Sequence, residues 1–158
     1  MPPDIRAYRP GDEDGIAAVI KSVFDEYGWP WDPLTENRDI FDIGTYYLER
    51  GGGFWVLESD EGIIGTVGLR GYGVECTLYR LYLPKSQRGN GYGKRLLRFA
   101  IEEARQRGYQ SMEIWSDKTL DVSHVMYRKA GAEPIGDREV FDPDYGVPYE
   151  EWGYRLQL

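Results

Sequence analysis

Cysteine and histidine are almost missing from this sequence: Cys76 and His124 each stand alone among 158 residues. A single cysteine cannot close an internal disulfide, which points to a reducing, cytoplasmic setting. One histidine and one cysteine do not make an ordinary zinc site, so no metal is expected. Nor is a Ser/His/Asp triad arguable from one histidine. Cys76 adjoins Glu75, whose charge disfavours a thiolate, so Cys76 reads as packing. Long apolar runs are absent too. Nothing approaches the ~18 residues of a membrane span, and the opening MPPDIRAYRP lacks the apolar core of a signal peptide. Positive charge is the last scarcity. Nineteen Lys and Arg against 27 Asp and Glu leave a net charge of −8, which argues against nucleic acid and anionic membrane as partners.

What is present describes a packed globule. At about 150 residues per domain, the length fits one domain spanning residues 1–158. A chain of this size buries roughly 68–70% of its unfolded surface and needs no staple. The composition is 41% hydrophobic, 15% aromatic and 29% charged. Glycine is in excess: 20 of 158 residues, nearly twice the usual ~7%.

Periodicity assigns the elements. Ile5–Arg9 reads as a short strand. Ile16, Val19, Ile20, Val23, Phe24 and Tyr27 share one helical face over Asp12–Tyr27, with acids at its positive end. An aromatic loop, Gly28-Trp29-Pro30-Trp31-Asp32-Pro33, breaks it. A second helix is predicted over Glu36–Arg50, with Ile40, Ile43, Tyr47 and Leu48 on one side and Gly51-Gly52-Gly53 ending it. Strands follow at Phe54–Glu58, Ile63–Arg70 and Val74–Leu83. A helix over Gly91–Arg107 leads to a strand at Tyr109–Trp115, which the intervening helix makes parallel to its predecessor. A short helix at Asp121–Ala130 and a strand at Tyr149–Leu158 complete a mixed α/β domain: an antiparallel meander, then a β-α-β-α-β half.

The segment Gln87-Arg88-Gly89-Asn90-Gly91-Tyr92-Gly93-Lys94 lies between a strand end and a helix start. Unpaired amides and the helix dipole make such a turn an anion site, and glycine lets a phosphate approach the backbone closely. Residues 80–107 hold eight Lys or Arg and two Asp or Glu, so the acidic average conceals a basic segment around this turn. The dinucleotide fingerprint fails, because its third glycine falls on Lys94. A Walker loop fails as well, because Gly93-Lys94 is followed by Arg95 rather than Ser or Thr.

Leu81-Tyr82-Leu83-Pro84 followed by Arg88-x-x-Gly91-x-Gly93 resembles the acetyl-CoA signature of the GCN5-related N-acetyltransferase (GNAT) superfamily. Glu113-Ile114-Trp115-Ser116-Asp117 resembles that family's fifth strand, and Ser123–Ala132 its following helical segment. Together with the upstream order of elements, the resemblance covers nearly the whole chain. It implies a GNAT-like acyl-CoA N-acyltransferase fold whose fourth and fifth strands splay to admit the pantetheine arm. Leu81, Tyr82 and Leu83 would offer it backbone groups. Arg88, Gly89, Asn90, Gly91, Tyr92, Gly93 and Lys94 would hold the pyrophosphate, chiefly through main-chain N–H groups.

The implied activity is direct, acetyl-CoA-dependent N-acetylation of an amine, with no acyl-enzyme; the alternative is a non-catalytic acyl-CoA-binding sensor of the same fold. Tyr127 stands at the family's tyrosine position, as proton donor to the leaving thiolate or as a packed aromatic. His124 also matches a family position, though an isolated histidine on a short helix ordinarily packs. Many relatives carry Glu where this chain has Thr77; Glu75, two residues earlier on the same strand face, is the candidate base through a water. Otherwise the acceptor's own equilibrium supplies neutral amine. The resemblance places the acceptor near Phe24, Tyr27, Trp29, Trp31, Tyr46 and Tyr47, with Thr77 and Tyr79. From these, Trp29, Tyr27, Thr77 and Tyr79 are the expected substrate contacts. The acidic surroundings suit a cationic amine, and the expected assembly is a monomer or homodimer.

Overall fold

The computed structural model describes residues 2–141 and 148–158. Strand β1 (Asp4–Ala7) leads into helix α1 (Glu13–Tyr27), which buries Ile16, Val19, Ile20, Val23 and Phe24. These are the residues that helical spacing puts on one face. The short helix α2 (Ile43–Tyr46) precedes a meander of β2 (Gly53–Ser59), β3 (Gly62–Tyr72) and β4 (Glu75–Tyr82). Helix α3 (Tyr92–Gln106), strand β5 (Ser111–Asp117), helix α4 (Asp121–Lys129) and strands β6 (Glu133–Val140) and β7 (Tyr149–Gln157) follow. The seven strands form one sheet in the order β1-β2-β3-β4-β5-β7-β6. Among the described residues only β4 and β5 pair in parallel, as the helix between them allows.

Strand β2 shows how the layers are made. Successive side chains leave a strand on opposite faces. Phe54 and Val56 pack with Ile16, Ile20 and Phe24, while Trp55 and Leu57 pack with Leu96, Leu97 and Ala100. Burial on both faces explains the unbroken apolar run in this strand. The loop entering it is equally constrained: a Cβ on Gly52 would lie 1.8 Å from the Leu69 carbonyl oxygen, so only glycine fits there.

Two elements depart from the pattern read in the sequence. The helix expected over Glu36–Arg50 is instead three short pieces: 3-10 turns at Arg38–Phe41 and Leu48–Arg50 flank α2. Ile40, Ile43 and Tyr47 are buried as their spacing implies, but Leu48 is exposed. The helix breaks because Asp39 must turn inward to a distant arginine, and Asp42 and Tyr47 leave helical backbone geometry on either side of α2. Strand β6 lacked any apolar alternation. It is a solvent-exposed edge strand carrying Pro134 and Gly136, so it has no buried face to write a period of two into the sequence.

Candidate active site

Strands β4 and β5 pair only over Glu75–Leu78 and Ser111–Ile114. Beyond that point β4 stays with β3, while β5 follows β7 as far as Asp117. Two strand edges thus face each other across a gap without ladder partners. A cleft of about 460 Å³ opens there. Its walls are residues 77–82 of β4 and 113–117 of β5, with Tyr127 from α4 and Trp29 and Phe24 from the α1 end.

A bulge shapes the β4 wall. Gly68 pairs with Tyr79 and Thr66 with Tyr82, so Val67 faces two residues of β4. Arg80 absorbs the extra residue at a φ of 54°, and the Thr66 hydroxyl donates to its carbonyl at 2.7 Å. Bulges re-aim side chains. This one sends Arg80 to Asp39, where Nη2 and Nε donate to the carboxylate at 2.7 and 3.1 Å. The Tyr47 hydroxyl donates to the same carboxylate at 2.5 Å. Burial alone would raise the Asp39 pKa. The charge and hydrogen bonds of Arg80, with help from Tyr47 and Arg70, outweigh it and hold the carboxyl below its usual range.

That pair joins the 38–41 turn to the sheet, and its removal has a calculable sign. Replacing Arg80 by Met leaves a buried carboxylate without its main partner, which costs about 3 kcal/mol. The lower end of the usual range applies because Arg70 lies 3.9 Å from the same carboxylate. In the wild type, the folded pKa of Asp39 is depressed. Its contribution is therefore present above the unfolded value and lost as pH falls through the folded one. In Arg80→Met the depression disappears, so urea unfolding should show the largest gap from wild type at neutral pH and a smaller one near pH 3.

Tyr127 lies almost wholly buried where α4 meets the cleft, 5.7 Å ring to ring from Tyr154. Burial pushes its phenol pKa above the ordinary value, against the opposing influence of Ser116 and Ser123. At neutral pH it therefore carries its proton. His124 is fully committed. Its Nε2 lies 2.7 Å from the Asp117 carbonyl, which can only accept, so Nε2 holds the hydrogen. Nδ1 then accepts from the Tyr154 hydroxyl at 2.8 Å. This histidine orients the cleft wall and has no nitrogen left for a proton transfer.

The glycine loop sits just past β4. Gly91 is the cap residue of α3, at a φ of 80°, and no acid occupies the first turn of the helix. A Cβ added to Gly91 would meet nothing within 4 Å, so the glycine serves the backbone conformation and close approach from outside. Arg88 is held away from this amide cluster. Its guanidinium donates to Glu26 at 2.8 and 2.7 Å and to the Leu83 carbonyl at 2.9 Å. With that carbonyl occupied, the main-chain N–H is the Leu83 group left to offer.

The cleft gathers Thr77, Tyr79, Leu81, Tyr82, Trp29 and Tyr127 from the residues singled out in the sequence. Tyr27 stacks on Trp29 at 4.9 Å without lining the cleft. Leu83 and residues 88–94 also stand outside its lining. Glu75 pairs with Ser111 at the far end of β4, before the strands part, and is not brought to the cleft. Cys76 is buried in the core, and burial, then the Glu75 charge, pushes its thiol up to about 12. Sequence reasoning missed Asp39, Arg70, Arg80 and Arg138 as cleft residues. Arg70 and Arg80 carry the one local mark, a charge between uncharged neighbours in a strand, whereas Asp39 beside Arg38 and Arg138 between Asp137 and Glu139 carry none.

Known proteins share this arrangement. The model of the Acetyltransferase (GNAT) family matches residues 16–132. The uncharacterized N-acetyltransferase YjgM of Escherichia coli (strain K12) is 28% identical over 130 residues, covering 78% of each chain. N-acetyltransferase 8 of Rattus norvegicus is 31% identical over 120 residues. That match covers 70% of this chain and 54% of the relative, so the chain spans about half of that protein's length. An acetyltransferase from Streptococcus agalactiae 2603 superposes with a TM-score of 0.83 at 23% identity, over 99% of this chain and 98% of that one. YncA of Salmonella typhimurium, solved with its cofactor acetyl-CoA, superposes with a TM-score of 0.80 at 17% identity. It is covered over 95% of its length by the whole of this chain.

Proposed function

The chain belongs to the GNAT acetyltransferase family, and from that premise we propose that it transfers the acetyl group of acetyl-CoA directly to an amine. The observation that carries this reading is the gap between β4 and β5, with Tyr127 in its wall and the uncapped amides of α3 just beyond its end. The residues fit such a cosubstrate. Two strand edges without ladder partners suit an extended, amide-bearing arm, and the first-turn amides of α3 suit its phosphates. Acetyl-CoA supplies an activated acyl group on a thiol leaving group.

The protein's own part is positioning and proton handling. Residues 81–83 align the arm, and the Leu83 N–H polarises the acyl carbonyl as an oxyanion donor. Tyr127 donates its phenolic proton to the departing sulfur, and the proton that the acylated nitrogen sheds as the amide forms restores the phenol. Thr77, Tyr79 and Trp29 hold the acceptor, a protonated amine in solution that must shed a proton before it attacks. Because Glu75 lies off the cleft, that proton goes to bulk water ahead of binding. No acyl-enzyme is needed: Cys76 is buried and strongly protonated.

The test is release of free CoA thiol. Thiol that appears only when acetyl-CoA and a primary amine are both present supports transfer, whereas release without an amine contradicts it.

A further inference from the structure

Arg70 is a charged residue of the cleft that the acetyl transfer itself does not use. It lies on β3 opposite Thr77 and lines the cleft beside Tyr79. Its guanidinium carbon sits 4.1 Å from the Tyr79 ring centre, 4.8 Å from Tyr47 and 5.4 Å from Tyr46. Tyrosine faces hold a cation without consuming its N–H donors. Those donors stay unspent: Nε is buried without a hydrogen-bond partner. The nearest carboxylate, Asp39, stands at 3.9 Å from Nη2, beyond hydrogen-bond distance. Asp39 already accepts twice from Arg80 and once from Tyr47. Two guanidinium groups therefore share the Asp39 carboxylate, and only that of Arg80 hydrogen-bonds to it. A buried donor left unpaired is costly unless something outside the chain completes it.

We infer that Arg70 is an anion-binding residue of the acceptor site, and that the acceptor is an amine bearing a carboxylate. This rests on the reading of the cleft as the place of acetyl transfer. The planar guanidinium fork matches a carboxylate in a bidentate fashion and makes a charge-assisted pair. Tyr79, which Arg70 covers, precedes Leu83, whose N–H is assigned to the acyl carbonyl, by four residues, at most about 13 Å along a strand. The carboxylate and the reacting amine of one acceptor are thus several bonds apart, as in an ω-amino acid.

The experiment is calorimetric binding to the protein saturated with CoA. The probes are 4-aminobutanoate, 5-aminopentanoate and 6-aminohexanoate, each against its matched n-alkylamine. At least one amino acid should bind about tenfold or more tighter than its alkylamine, the size of effect expected for a charged hydrogen-bonded pair. Arg70→Gln should erase the difference, and Arg70→Lys, which keeps the charge but not the fork, should retain part of it. Thermal unfolding of both variants checks that the fold is intact. Equal binding by the alkylamines, no binding by any carboxylate, or a preference that survives in Arg70→Gln would overturn the proposal. Parallel thiol-release assays separate the two readings. Carboxylate-selective binding without turnover removes the transferase and keeps the anion site; turnover without carboxylate preference does the reverse.

Discussion

Tyr127→Phe should lower kcat about 100-fold while acetyl-CoA affinity changes less than twofold. General acids contribute ~10²–10⁴ in rate. The lower end applies because a thiolate, with a pKa near 8.5, leaves more readily than an alkoxide or amide anion. The variant keeps the ring that packs beside Tyr154 and His124 and loses only the phenolic oxygen, so the cleft survives. The role needs the protonated phenol, and burial raises its pKa. Wild-type kcat should therefore show no fall from this group up to pH 10, and Tyr127→Phe should be low at every pH. An unchanged kcat would reduce Tyr127 to packing.

Gly91→Val should weaken acetyl-CoA binding about 100-fold, read by calorimetry. A branched side chain at a φ of 80° costs roughly 1–2 kcal/mol in the free protein. For a chain of this size that corresponds to a fall in Tm of a few degrees. The larger loss comes on binding, because a side chain here would occupy open space beside the helix start, where a phosphate must approach. Losing one or two charge-assisted hydrogen bonds, at ~1.5–3 kcal/mol each, accounts for the two decades. A Val variant that binds acetyl-CoA like the wild type would place the phosphates elsewhere. Loss of affinity together with a collapse in Tm would mark Gly91 as structural.

Much of this arrangement could be read before any coordinates. Helices α1 and α3 announce themselves because one face is buried and the other wet, and the parallel β4–β5 pair follows from the helix between them. The glycine loop is legible because an αL cap and an uncapped helix start leave a local trace. The elements that escaped depend on contacts far apart in the chain. Asp39 and Arg80 are 41 residues apart, and neither signals locally that it is buried against the other. That same pair breaks the helix expected over Glu36–Arg50. Edge strand β6 has no buried face, so nothing in its residues repeats. The bulge at Arg80 is a register property of two strands, invisible in either strand alone. Glu75 and Thr77 share a strand face and both lie where β4 and β5 still pair, but Thr77 stands two residues nearer the point where the strands part, so it meets the cleft and Glu75 does not.

The central claim is that this cleft moves an acetyl group onto nitrogen. Single-turnover incubation with radiolabelled acetyl-CoA and primary amines, ω-amino acids included, tests it most directly. The label should pass to the amine at the rate at which CoA thiol appears, with none retained on the protein. Tight binding of acetyl-CoA whose label never leaves it would contradict the account and identify a CoA-binding sensor in its place.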